Sequence, residues 1–148
     1  MIRFSFLRAL PFFSLFLFVG TVTSCDGQPN QGVARDISPT ELKGLVEDRN
    51  DLLLIDVRTA QEWKSGHIAG ASLIDFLEDD FSAVAHALPK NRPIALYCAA
   101  GGRSEDAMNN LAKAGFKELY NLRGGFYGWE DDGEAIAHGE PAPLPKND

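Results

Sequence analysis

Apolar residues fall along this chain in short unbroken runs, and the stretches between them switch to a spacing of three and four. Leu52-Leu53-Leu54-Ile55 and Ile94-Ala95-Leu96-Tyr97 are apolar at every position, the pattern of strands buried on both faces of a parallel sheet. Ala71 to Ile74 and Phe116 to Leu122 read as further strands. Ala107, Met108, Leu111, Ala112 and Ala114 form one face of a helix that begins near Ser104 and stops at Gly115. Asp75 to Ala87 also carries apolar residues near helical spacing, with Pro89 as its stop. Ser38-Pro39-Thr40-Glu41 predicts a helix start, combining a serine cap, a proline at the first position and a glutamate that closes a capping box; the helix runs to about Glu47 or Asp48. Thr59-Ala60-Gln61-Glu62 is a second such box and opens a short helix, Gly66 to Gly70 is a turn, and Gly124 to Glu130 is a short helix or turn.

Strands alternating with helices predict an α/β domain, a mostly parallel sheet covered on both sides. At 148 residues there is room for one such domain, expected over residues 36–137, with a loose proline-rich tail at 138–148. The start of the chain reads differently. Arg3 and Arg8 precede a short apolar segment from Ala9 to Val22, too short to cross a bilayer, which needs about 20 apolar residues. Val22-Thr23-Ser24-Cys25 resembles a bacterial lipobox, so residues 1–24 are expected to be a lipoprotein-type signal peptide, Cys25 the lipidated residue and 25–35 a flexible tether. The expected location is outside the cytoplasm, membrane-anchored through lipid alone and facing the periplasm or cell exterior.

Charge narrows the partners. The whole chain carries a formal −7, and loss of Arg3 and Arg8 with the signal peptide makes it more negative still. Nucleic acid is excluded as a partner, because binding it depends on lysine and arginine displacing counterions. With Cys25 lipidated, Cys98 is left as a single thiol, which rules out an internal disulfide and marks a reactive group.

Cys98 stands at the end of an apolar strand, where ligands bind in open α/β sheets. Cys98-Ala99-Ala100-Gly101-Gly102-Arg103 must reverse direction before a helix begins, and Gly101 and Gly102 permit the positive φ values that converge successive N–H groups on one point. An ordinary thiol with pKa near 8.5 is only about 3% ionised at pH 7, and lowering that pKa by two units takes roughly 2.7 kcal/mol. A helix N-terminus supplies about 0.3–1 kcal/mol, up to ~2 when partly buried. Hydrogen bonds to a charged group contribute ~1.5–3 kcal/mol each, so converging loop amides are expected to be the main activator of a Cys98 thiolate.

Cys98-x-x-Gly101-x-Arg103-Ser104 resembles the active-site loop of the single-domain rhodanese-like sulfurtransferases. Asp56-Val57-Arg58 through Glu62-Trp63 to Gly66-His67-Ile68-Ala69-Gly70-Ala71, and Gly124-Gly125-Phe126-x-x-Trp129, resemble that family's flanking signatures, in the same order. The resemblance implies a rhodanese-like fold with a central five-stranded sheet. It implies a Cys98 that alternates between thiolate and persulfide, taking sulfur from an anionic donor such as thiosulfate and passing it to cyanide or a thiol acceptor, without metal or cofactor. The loop from Ala99 to Ser104 would bind the donor, Arg103 holding its sulfonate end and Ser104 capping the following helix. A second reading keeps the fold but makes it a non-enzymatic persulfide carrier or partner-binding module.

The remaining polar residues read as support. Asp56, Arg58 and Glu62 suit a salt-bridge and capping cluster beneath the site, and His67 a structural hydrogen-bonding role; Trp63, Phe126 and Trp129 suit core or rim packing. A phosphatase of the Cys-x5-Arg kind needs its arginine one position later than Arg103. That mismatch in loop length disfavours a phosphate-sized ligand.

Overall fold

The computed structural model describes residues 32–145. The signal segment, Cys25 and most of the expected tether lie outside the described residues. Five strands, β1 (Val33–Ile37), β2 (Leu53–Asp56), β3 (Ser72–Leu73), β4 (Ile94–Tyr97) and β5 (Glu118–Leu122), form one all-parallel sheet in the order β1-β5-β4-β2-β3. Side chains alternate across it. Leu53, Ile55, Ile94, Leu96 and Leu119 face α3 (Phe81–His86) and α4 (Gly102–Lys113). Leu54, Ala95, Tyr97, Tyr120 and Leu122 face α1 (Pro39–Asp48), α2 (Ala60–Trp63) and α5 (Gly125–Asp131). Each face buries its own apolar cluster, and this two-sided burial is why the central strands are apolar at every position.

Both capping boxes form. The Ser38 hydroxyl accepts from the Glu41 amide and the Thr59 hydroxyl from the Glu62 amide, while each glutamate reaches back to its cap's N–H. Three expectations change. The tether ends earlier, because Val33–Ile37 pairs with β5 as an edge strand exposed at all but its last residue. The helix expected over 75–87 shrinks to Phe81–His86, since the Asp75 side chain accepts from the Leu77 amide and holds a turn there. The tail is not loose over its described part: the Trp63 indole donates to the Gly139 carbonyl at 2.8 Å, Ala142 donates to Ala71, and Leu144 packs on the core.

Candidate active site

The site is built at the carboxyl end of β4. Tyr97 ends the strand, its carbonyl accepts from the Val57 amide, and Cys98 follows immediately. The chain then turns through Gly101, whose φ of +102° lies in the region glycine enters without strain, and enters α4 at Gly102. Gly101 alone takes the left-handed conformation expected of both loop glycines; Gly102 is already helical.

The loop wraps its own sulfur. The Gly101 amide donates to Cys98 Sγ at 3.1 Å. Burial works against ionisation of Cys98, but the Ser104 hydroxyl and the amides of Ser104, Ala100 and Gly101 all favour the anion, and the net effect lowers the thiol's pKa. Cys98 is 2% exposed and packs with the apolar cluster on the α3 and α4 side of the sheet. Ala99 contributes differently: its carbonyl accepts from Tyr127 and the Cys98 carbonyl accepts from Phe126 at 2.7 Å, so the first turn of α5 holds the loop from behind.

Ser104 is not the helix cap. Gly101 takes that position, which carries Ser104 into the first turn and buries it completely. Its hydroxyl lies 3.0 Å from the Gly101 carbonyl and 2.7 Å from Asn121 Oδ1, and Asn121 in turn donates to Asp36. The sequence pattern does not single out Asn121; its signal is a lone amide between the buried Tyr120 and Leu122.

Arg103 is engaged. Its guanidinium makes two bonds to Glu62, Nη2 to Oε1 at 2.6 Å and Nη1 to Oε2 at 3.0 Å, and both Glu62 and Cys98 favour its charged form. The Arg103 bonds, opposed by partial burial and helped by the Thr59 amide and hydroxyl, hold the Glu62 carboxyl at about 2. Glu62 thus closes a capping box and an ion pair with one carboxylate, a pairing across 41 positions that local pattern does not reveal.

Of the expected Asp56, Arg58 and Glu62 cluster, only Asp56 and Arg58 pair with each other, Glu62 turning to Arg103 instead. Asp56 and Arg58 are buried, joined by Arg58 Nη2 to Asp56 Oδ2 at 2.7 Å, and the same Nη2 donates to the Gly66 carbonyl. The Arg58 guanidinium lies 4.0 Å from the centre of the Phe126 ring, the residue whose amide holds the Cys98 carbonyl. His67 takes a structural hydrogen-bonding role through its backbone, exchanging two bonds with Ala137 at 2.9 and 2.8 Å. It stacks on Trp63 at 3.7 Å, its Nδ1 is buried without a partner among the described residues, and burial lowers its pKa.

Residues 38–132 match the family profile described as the rhodanese-like domain. A probable adenylyltransferase/sulfurtransferase MoeZ of Mycobacterium tuberculosis is 37% identical over 112 residues, covering 76% of this chain and 28% of that protein. A tRNA uridine(34) hydroxylase of Protochlamydia amoebophila is 38% identical over 106 residues, covering 66% of this chain and 33% of that protein. The chain therefore spans about a third or less of these relatives. Among solved structures, a rhodanese-like domain protein from Staphylococcus aureus is similar with a TM-score of 0.62 and 28% identity, over 71% of this chain and 98% of that one.

Proposed function

We propose that this chain, which belongs to the rhodanese-like domain family, is a sulfurtransferase that works through a persulfide on Cys98. The observation that carries the reading is the Gly101 amide donating to Cys98 Sγ at 3.1 Å, within a loop whose surroundings lower the thiol's pKa. The name of the MoeZ relative agrees with it. The Cys98 thiolate attacks the outer sulfur of thiosulfate; a sulfur–sulfur bond forms to Cys98, the bond to the sulfonate sulfur breaks, and sulfite leaves with the electron pair. Cyanide or a thiolate then attacks the outer sulfur of the persulfide and returns Cys98 as the thiolate. Charge balances in each step, and the terminal sulfur, ~2 Å beyond the first, stays within reach of fixed loop dipoles.

With this reading goes an exported location, the domain tethered to a membrane by lipid on Cys25 and using small-molecule donors and acceptors. With a single thiol in the domain, release of sulfur falls to an external acceptor. The test is to incubate the protein with thiosulfate, weigh it intact, and assay thiocyanate after adding cyanide. The expected result is a mass gain of one sulfur atom that cyanide removes, with repeated turnover. A gain without turnover assigns the carrier role instead, and no gain with any sulfane donor rejects both.

A further inference from the structure

An arginine five residues after a nucleophilic cysteine would ordinarily make its site attractive to dianions. Here that charge is already met. Glu62 takes two of the Arg103 N–H groups, one on each carboxylate oxygen, and the Thr59 amide and hydroxyl fix the same carboxylate at Oε2. The second arginine near the loop, Arg58, is buried against Asp56. A separate feature adds negative charge at the same end of the sheet. The Asp56 and Val57 carbonyls, where β2 ends beside Cys98, accept from Ile74 and Phe76, and this anchors the segment carrying Asp75, Glu78, Asp79 and Asp80, the last three exposed.

We propose that Glu62 is the specificity-determining residue for donor charge: by occupying Arg103 it leaves the mouth of the site near neutral and acid-rimmed, so that low-charge alkyl persulfides are preferred to dianions such as thiosulfate. The donor preference rests on the sulfurtransferase reading. The step it favours balances in the same way. The Cys98 thiolate attacks the terminal sulfur of the alkyl persulfide, the new sulfur–sulfur bond forms, the old one breaks, and the alkyl thiolate leaves with the electron pair and takes up a proton from solvent. Glu62 stays ionised throughout the neutral range, so the filter does not titrate there.

The test uses the full chain and three variants, Glu62→Gln, Arg103→Ala and Thr59→Ala. Glutamine keeps the length of the side chain and still closes a capping box. Two readouts are taken. The first is the ratio of Cys98 alkylation rates by iodoacetate, an anion, and iodoacetamide, which is neutral; dividing the two cancels any change in thiolate fraction. Glu62→Gln raises this ratio about threefold at low salt, Arg103→Ala lowers it, Thr59→Ala leaves it unchanged, and the differences shrink toward 1 M salt, where the screening length is about 3 Å. The second is KM for thiosulfate and for the persulfide of 2-mercaptoethanol, at most a monoanion. Glu62→Gln lowers the thiosulfate KM about fivefold and the persulfide KM much less, while Arg103→Ala raises the thiosulfate KM. A ratio that Glu62→Gln does not move, or that Thr59→Ala moves equally, overturns the charge filter while turnover stands. A ratio that shifts as described in a protein that forms no persulfide with either donor overturns the donor preference together with the transferase reading.

Discussion

Replacing Cys98 with serine abolishes sulfur transfer and leaves the fold intact. A serine hydroxyl is not ionised at neutral pH and cannot hold a second sulfur, so the covalent intermediate disappears; removing the nucleophile of a covalent catalyst costs on the order of 10⁴- to 10⁶-fold. Stability should barely change. Serine is close to cysteine in size, and the Gly101 amide that donates to Sγ keeps an acceptor. The variant should therefore melt with the wild type, gain no mass with thiosulfate and give background thiocyanate. Residual turnover above about a hundredth of wild type would place the nucleophile elsewhere.

The second large effect lies behind the loop. Replacing Gly125 with alanine should lower stability and raise the Cys98 pKa together. At φ +58° a side chain costs roughly 1–2 kcal/mol. A Cβ there would also stand 2.7 Å from the Ala99 carbonyl carbon and oxygen and overlap the Cys98 carbonyl, a contact that requires the loop to move at ~1–3 kcal/mol. A combined loss of about 2–5 kcal/mol is a large part of the 5–15 kcal/mol that holds a typical domain together. Gly115→Ala is the control: φ is +91° there, but nothing lies within 4 Å of the added carbon. Gly125→Ala should melt well below Gly115→Ala, and its thiol should alkylate more slowly at neutral pH. Equal melting temperatures would mean that the close approach of α5 to the loop is not what holds it.

The parts of this molecule legible in the sequence are those fixed by neighbours along the chain. Ser38–Glu41 and Thr59–Glu62 close their capping boxes within one turn, and the runs around Leu54 and Ala95 are apolar throughout because helices cover both faces. Cys98, Gly101 and the following helix could be placed as a sulfur cradle for the same reason, since the loop is short. What escaped depends on distant partners. β1 has one buried residue in five, so Val33–Ile37 shows no apolar run and is defined only by its pairing with β5. Ser104 read as a cap because serine commonly fills that position, but an αL glycine displaced it inward toward Asn121. Arg103 read as a free cation because nothing nearby in sequence shows the Glu62 carboxylate against it. The tail reads as loose from its prolines, whereas Gly139 accepts from the Trp63 indole and Ala142 donates to the Ala71 carbonyl, partners some 70 positions back in the chain.

The claim on which the chemistry depends is that hydrogen bonds from the loop outweigh burial and favour the Cys98 thiolate. Because its pKa in the folded protein is lowered, the thiolate persists as pH falls below the range where an ordinary cysteine is protonated, and is lost only on passing the lowered value. The rate of Cys98 alkylation by iodoacetamide, followed from acid to alkaline pH, measures this directly. The account predicts a rate that rises and levels off with an apparent pKa clearly below about 8.5, the ordinary value for a free thiol. A rate still climbing at or above that pH would contradict it.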